Sequence, residues 1–367
     1  MKRKIVYLNP DAFTDTDLSV LKELSKSYHV TWFYIYESKK NVRLTLEDAN
    51  SYAQKYNIEL RVKDPLVRRR DIRNFKFYYQ ITKEINSINP DLVYHCERNP
   101  YWAICICLFM KCKNVVLGIH DASVHTFNFS FGLLLAILFK DLTFKFHKNF
   151  ITFSPNQQKY LREYYKLESY LVGMSCKDFG VSYQTPEPIN KGIKLLFFGS
   201  INIYKGLDLL IVALENLRKK GVTNISLTIA GNGSCWQEYS TLIKTPELYN
   251  LQIRFIKNSE IPDLMASHHF LVLPYRNATQ SGPLFTAINY ELPIIAPNFG
   301  CFQETYNNNS AILYEPNELE KALYDLHNLT QTQFNEMKDS CKILKYNFSE
   351  EIIAQKYIYV FNTIINK

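Results

Sequence analysis

Chemistry with anions is written into two segments of this chain. In the first, Phe198-Gly199-Ser200-Ile201-Asn202-Ile203-Tyr204-Lys205-Gly206-Leu207-Asp208, an apolar run ends at a glycine and a helix-forming stretch begins near Gly206. Gly199 lets a ligand approach the backbone, and a helix N-terminus offers unpaired N–H groups to an anion. Lys205 stands at that terminus as a point charge suited to a diphosphate. In the second, Leu273-Pro274-Tyr275-Arg276-Asn277-Ala278-Thr279-Gln280-Ser281-Gly282-Pro283-Leu284, a polar loop again joins an apolar run to a helix. Pro283 suits the first helical position. Amides around Ser281, Gly282 and Leu284 could cradle a phosphate, and the Ser281 hydroxyl could add a bond. A third segment, Ala230-Gly231-Asn232-Gly233-Ser234, closes the run Leu-Thr-Ile-Ala. Each has a bland reading too: a βα turn with an exposed lysine, an ordinary capped helix, a mere turn. The three gain weight together, because all follow strand-like runs in one half of the chain.

The other half offers scattered polar groups. His120 follows the apolar run Val115–Ile119 and reads either as a satisfied structural histidine or as a hydrogen-bonding group at a strand end. Glu97, after Leu92–His95, is a further polar candidate, with a surface salt bridge as its plain alternative. Asp15-Thr16-Asp17 has the look of a metal-holding acidic pair, but sits near a helix start where acids serve as caps. No other cluster has metal-ligand spacing, so neither metal nor cofactor is expected. There is no G-x-S-x-G and no convincing Ser/His/Asp set, which argues against hydrolases.

To hold such loops the chain must supply strands and helices in alternation, and it does. Strands are expected at Lys4–Leu8, Val30–Tyr36, Glu59–Val62, Leu92–His95, Val115–Ile119 and Asn149–Phe153. In the second half they are expected at Lys194–Phe198, Ser226–Ala230, Gln252–Ile256, Phe270–Pro274, Pro293–Ala296 and Ala311–Tyr314. Helix-length segments lie between them, among them Arg70–Ile88, Tyr101–Lys111, Gly206–Lys219 and Pro283–Tyr290. Successive βα units imply an α/β fold with parallel sheets. The 367 residues suit two domains. The segment Gly180–Gly192, with two prolines and little periodicity, reads as a linker. The expected domains are therefore 1–173 and 174–348. A final helix, 349–367, opens on Ser349 and two glutamates and is free to pack back on the first domain. Ligands of such sheets bind beyond the carboxyl ends of the strands, so a cleft shared by two facing domains is the expected site.

Composition fits a folded globular protein, with 47% hydrophobic and 21% charged residues. The eight cysteines form no C-x-x-C pair and read as free thiols in a reducing cytosol. No apolar stretch reaches the ~20 residues of a spanning helix, and the N-terminal run is too short for a signal peptide. A cytoplasmic protein is expected, with the inner face of the cell membrane as a place of work. Charge is uneven: residues 1–175 carry +9 and residues 176–367 carry −1. The densest basic cluster is Arg68-Arg69-Arg70 with Arg73 and Lys76. With the apolar segments Tyr101–Met110 and Phe131–Phe139, it suggests a peripheral contact with anionic membrane. The plain alternatives are a solvated helix start and buried core. No nucleic-acid-reading motif is present, so no nucleic-acid partner is expected.

The order and spacing of FGSINIYKGLDLLIVAL, LTIAGNG, LPYRNATQSGP with PIIAP, and Gly300…Glu304 resemble the donor-binding half of family-4 glycosyltransferases of the GT-B fold. The resemblance covers nearly all of Lys194–Tyr314; the first half is similar only in layout. It implies two Rossmann-like domains and transfer of a sugar from a nucleotide-sugar donor with retention and without a metal. Carried over by residue, it gives Lys205 the donor diphosphate, and Gln280, Ser281, Gly282 and Leu284 the distal phosphate. Gly199, Ser200 and Glu304 fall in the donor site, and Gly231 and Gly233 leave room for the nucleotide. His120 would hydrogen-bond the transferred sugar, with Asp121, His125 and Glu97 on the acceptor side. Two departures stand out. An arginine usually follows the first motif's glycine, where this chain has Ser200. The usual glutamate pair is replaced by Ala278 and Thr286.

The resemblance thus implies a glycosyltransferase acting on a glycan or lipid-linked glycan in cell-surface polysaccharide synthesis. Two further readings stay open. A nucleotide-sugar epimerase would convert donor without acceptor, and a non-catalytic nucleotide-sugar-binding protein would bind without turnover.

Overall fold

The computed structural model describes residues 2–38, 44–67, 71–97, 99–120 and 143–367. The chain divides into two compact units, Met1–Ser175 with Glu350–Lys367, and Cys176–Ser349. The strands of the first unit are β1 (Lys4–Pro10), β2 (His29–Ile35), β3 (Glu59–Lys63), β4 (Leu92–His95), β5 (Val115–Ile119), β6 (Asn149–Thr152) and β7 (Tyr170–Leu171). Among the described residues they form one sheet in the order β3-β2-β1-β4-β5-β6-β7. Every pairing in it is parallel. The second unit has β8 (Ile193–Phe198), β9 (Ile225–Ala230), β10 (Tyr249–Gln252), β11 (Phe270–Val272), β12 (Ile294–Pro297) and β13 (Ala311–Tyr314). Their order is β10-β9-β8-β11-β12-β13, again parallel throughout. Both sheets therefore have the Rossmann order, which reverses between β1 and β4 and between β8 and β11.

Burial explains the strands. β1 and β2 are buried along their whole length after the first residue, as parallel strands covered on both faces must be. The helix Leu207–Lys219 shows how a layer is laid on the second sheet. Leu207, Leu210, Ile211, Leu214 and Leu217 are buried at helical spacing, Asp208 lies in the first turn, and Arg218 and Lys219 lie in the last. In the first unit the helix Arg73–Ile88 stops at Asn89, which takes the left-handed conformation (φ 52°) of a helix end. The last helix, Glu350–Ile365, belongs to the first unit. Lys22 pairs with Glu350, and the Tyr28 hydroxyl donates to Asn362 Oδ1 at 3.1 Å.

Several sequence expectations shift. β10 covers Tyr249–Gln252 rather than Gln252–Ile256. The register is set by pairing with Leu227–Ala230, whereas Phe255, the apolar residue that suggested a later strand, is 75% exposed. The 17-residue helix Gln331–Asn347 has no counterpart in the periodicity reading, although Thr330 and Gln333 form a capping box at its start. Helix Pro100–Phe109 buries Trp102, Ala103, Cys105 and Ile106 and leaves Leu108 exposed. Arg73 is held by Asp71 at 2.6 Å. Arg68–Arg70 and the apolar segment Phe131–Phe139 lie outside the described residues. Among the described residues no helix is long and apolar enough to cross a membrane.

Two histidines that precede β11 tie it to the amino end of β8 and to the middle of β9. His268 bonds the Leu264 carbonyl through Nδ1 at 2.6 Å and the Thr228 hydroxyl through Nε2 at 2.7 Å. His269 Nδ1 accepts from the Lys194 amide at 2.9 Å, so its proton is on Nε2, which donates to the Glu187 carbonyl at 2.7 Å. His269 must be neutral to accept from that amide, whereas His268 is kept neutral by its burial. Burial, with Lys194 and His269 nearby, holds His268 at about 4 against an ordinary 6.5, and burial lowers His269 as well. Between those values the unfolded chain binds a proton that the folded chain refuses. The stabilisation is whole above pH 6.5 and is lost as the pH falls toward 4. For His268 this amounts to about 3 kcal/mol. Melting temperature followed across this range should fall steadily on acidification, and His268→Gln should flatten the fall; an unchanged profile would count against the assignment.

Candidate functional site

In the second unit the residues singled out by spacing come together at the carboxyl ends of β8 and β11, where the strand order reverses. β8 runs into Gly199 (φ 119°), and the short helical turn Ile203–Lys205 brings Lys205 back toward the sheet. Lys205 is 6% exposed. Its Nζ donates to the Tyr275 hydroxyl at 2.5 Å and lies 4.5 Å from the Tyr275 ring centre. A Cβ on Gly199 would stand 3.7 Å from that ammonium and 3.6 Å from Pro283 Cγ. No carboxylate forms a salt bridge with Lys205 among the described residues, and burial lowers its pKa from the ordinary 10.5.

Tyr275, three residues past the end of β11, carries the contact onward. Burial raises its pKa well above 10, so the hydroxyl keeps its proton. The oxygen already accepts from Lys205, and the Tyr275 hydroxyl is 3.1 Å from Ser281 Oγ. Either hydroxyl can be the donor in that contact. Ser281 is the N-cap of the helix Gly282–Asn289, yet its side chain makes no capping hydrogen bond. A serine there usually accepts from the amide two or three residues on. Here the first-turn amides of Gly282 and Leu284 are left uncapped by it, and Pro283 has none to offer. Gln280, the residue before, has a buried Nε2 with no hydrogen-bond partner among the described residues. A buried ammonium, linked through Tyr275, and a hydroxyl unused for capping meet at a helix start, whose dipole is positive.

The supporting loops are held by glycines at close backbone crossings. The Gly199 and Ile201 amides donate to the carbonyls of Ala230 and Asn232, at 2.9 and 2.8 Å. A Cβ on Gly231 would meet Gly199 O at 1.8 Å, and one on Gly233 would meet Ile201 O at 2.1 Å. The immediate steric need for both glycines is thus the neighbouring loop. Ser200 is exposed and accepts from Asn202 at 3.0 Å. Glu304 lies on the helix Gly300–Thr305, where Phe302 packs edge-on against Tyr275 with ring centres 5.3 Å apart. Leu284 is fully buried and contributes only backbone.

Arg276 is spent on structure. It makes two bonds to Asp208, at 2.8 and 2.6 Å, and a third to the Ile203 carbonyl at 2.7 Å. Sequence reading missed a different cation, Lys177. It is 8% exposed, its amide donates to the Phe285 carbonyl at 3.2 Å, and its Nζ is 3.1 Å from where a Cβ on Gly282 would be. Nothing in local spacing signals this, because a hundred residues separate the two positions.

In the first unit, the His120 ring is stacked between Phe13 and Phe153, each with ring centres 4.1 Å away. Its edge, not its face, is what it can present. Glu97 is buried, not at the surface, and its Oε1 accepts from the Asn99 amide at 2.8 Å. Asp17 is buried and accepts from the Tyr7 hydroxyl at 2.9 Å and from Asn9 at 2.7 Å, so its oxygens serve the core. Asp121 and His125 lie outside the described residues.

Residues 192–329 match the profile of the family described as Glycosyl transferases group 1. That segment holds Lys205, Tyr275 and Ser281. No curated protein matches the chain by sequence. The structure of Anabaena Alr3699/HepE in complex with UDP and glucose is similar at TM-score 0.72 and 15% identity, covering 98% of this chain and 100% of that one. Sucrose-phosphate synthase from Thermosynechococcus elongatus is similar at TM-score 0.71 and 12% identity, covering 100% of both. The lipopolysaccharide outer core galactosyltransferase WaaB, in its apo form, gives 0.70 and 12%, covering 98% of this chain and 99% of that one. At such identities the likeness shows the fold, which is GT-B. The stretch similar to that family lies within the second unit.

Proposed function

We propose that the chain transfers a sugar from a nucleotide-sugar donor to a glycan or lipid-linked glycan acceptor. The observation that carries this reading is the Lys205–Tyr275–Ser281 hydrogen-bonded chain, which ends on a hydroxyl unused for capping at a helix start. Breaking a glycosyl–phosphate bond puts negative charge on the departing diphosphate. Preorganised donors at that position lower the barrier, because they need no reorganisation as the charge develops. Lys205 would offset the charge directly, while Ser281 and the amides of Gly282 and Leu284 would hold the outer phosphate. The departing phosphate oxygen can take the acceptor's proton, so the reaction needs no separate base. We take the outcome to be retention at the anomeric carbon, without a metal. The +9 charge of residues 1–175 supports an anionic acceptor or membrane face, as cell-surface polysaccharide synthesis would present.

The HepE structure holds UDP and glucose, which makes UDP-glucose the first donor to try. Thermal unfolding in the presence of UDP-, GDP-, dTDP- and ADP-sugars is the direct test. A donor at a hundred times its dissociation constant should stabilise the fold by about 2.7 kcal/mol. One base should stand out, and sugar transfer or slow hydrolysis of that donor should follow. No shift with any donor would overturn the reading. A shift without turnover would leave a binding protein, the alternative that the missing arginine at Ser200 favours.

A further inference from the structure

The loop after β11 lies along the turn that carries Lys205, and three consecutive residues make the contact in reverse order. Pro274 meets Gly206, where a Cβ would stand 1.9 Å from the Pro274 carbonyl oxygen. Tyr275 meets Lys205, whose Nζ donates to its hydroxyl at 2.5 Å. Arg276 meets the turn itself. Its amide donates to the Tyr204 carbonyl at 2.8 Å, and its Nη1 donates to the Ile203 carbonyl at 2.7 Å. Two of the three carbonyls of Ile203–Lys205 are therefore tied to one residue of the opposite loop. The guanidinium is fixed in turn by Asp208, which accepts from Nη1 at 2.8 Å and from Nη2 at 2.6 Å. Asp208 stands in the first turn of helix Leu207–Lys219, whose leucines are seated in the core. Tyr239 also lies beside the guanidinium.

Global stability gives little reason for such a strut. The Arg276 and Asp208 side chains are 36% and 22% exposed, and an ion pair this open to water adds little to the fold. What it adds is local. A lysine side chain is a flexible four-carbon stem, so its ammonium is placed only when both ends are held. Tyr275 holds the far end, through its hydroxyl and through a ring whose centre is 4.5 Å from Nζ. Arg276 holds the near end, through the backbone of the turn. Release of the turn would let the ammonium reach water, where a charge attracts an anion far less than it does when buried.

Resting on the donor reading above, we infer that Arg276 is a positioning residue for Lys205, with Asp208 as its anchor. It acts on the donor's diphosphate through the lysine, by keeping the turn Ile203–Lys205 against the loop after β11.

The test is a double-mutant cycle on the full chain, read by calorimetric binding of UDP, GDP, ADP and dTDP. Arg276→Met should weaken the diphosphate that binds by about tenfold while Lys205 is present, and should change it little in a Lys205→Met background. A group that acts through Lys205 has nothing left to position once the lysine is gone. One that touches the ligand, or merely supports the domain, would lose the same factor in both. Arg276→Lys keeps the charge without the fork and should restore only part of the affinity. The pH profile is a second readout. Tyr204, Tyr275 and Cys301 lie beside the ammonium, and burial lowers its pKa from the ordinary 10.5. Arg276→Met admits water, so the alkaline decline of affinity should move to higher pH; a merely structural arginine would leave it in place. Asp208→Asn loosens the anchor and repeats the cycle with a smaller effect of the same pattern, even if Arg276→Met folds poorly. Equal losses in the two backgrounds, or no loss with Lys205 present, overturn the inference and leave the donor reading standing. Should the unaltered chain bind no nucleoside diphosphate, the donor reading fails and takes the inference with it.

Discussion

Lys205→Met is expected to reduce nucleoside-diphosphate affinity about 100-fold or more while leaving the melting temperature unchanged or higher. The two halves of that result come from one fact. Lys205 is buried, forms no salt bridge with a carboxylate among the described residues, and has its pKa lowered by burial. A charge held that way costs desolvation energy in the free protein, and an apolar side chain of similar length removes the cost. A residue kept for packing would show the opposite pattern, with stability lost and binding dragged down after it. The pH dependence follows with a definite sign. The free lysine titrates below 10.5, and a bound diphosphate raises its pKa again. Binding on the alkaline side should therefore take up a proton, and affinity should decline as the pH rises through the value of the free lysine. Calorimetry in two buffers of different ionisation enthalpy reads the uptake. Loss of stability in Lys205→Met with binding intact would remove the side chain from the site.

Gly206→Ala should cost about 3–5 kcal/mol of stability, among the larger effects available to a single methyl group. Two causes add. Gly206 has φ +68°, a conformation that costs an alanine about 1–2 kcal/mol. Its Cβ would also stand 1.9 Å from the Pro274 carbonyl oxygen, so the loop after β8 and the loop after β11 could no longer touch. Gly221 separates the causes. It has φ +86° with nothing within 4 Å of its would-be Cβ, so Gly221→Ala feels the conformational cost alone. Chemical denaturation of the two variants should show Gly206→Ala the worse by at least about 2 kcal/mol. Equal losses would mean that the crossing yields easily. Because Lys205 is the adjacent residue and Tyr275 follows Pro274, the same substitution should also spoil diphosphate binding in whatever fraction stays folded.

The loops of the candidate site were legible in the sequence because their signals are local. A buried parallel strand reads as an apolar run, a helix start as Ser281-Gly282-Pro283, and a tight turn as Gly199 or Gly206. None of these needs a partner far along the chain. β10 was misplaced by three residues because Phe255 looks like strand core, while only the register against β9 shows that it faces solvent. The helix Gln331–Asn347 was missed although Thr330 and Gln333 announce it, since its buried residues, Phe334, Met337 and Cys341, are too sparse for a strong apolar stripe. Glu97 was legible as a polar acceptor-side candidate with a surface ion pair as its alternative, but its burial was not, because sequence gives charge and not burial.

By itself, the sequence determined the alternation of strands and helices, the expectation that the loops after β8 and β11 bind an anion, and the presence of Lys205 and Ser281 in them. Each follows from side-chain type and spacing over a dozen residues or fewer. Only the tertiary structure decided that β8 lies beside β11 and that Lys205 reaches Ser281 through Tyr275. It alone left Ser281 without a capping bond and set Lys177 over Gly282. These depend on distances between residues some seventy to a hundred positions apart, and Coulomb energy and desolvation respond to that separation in space, whatever the separation along the chain.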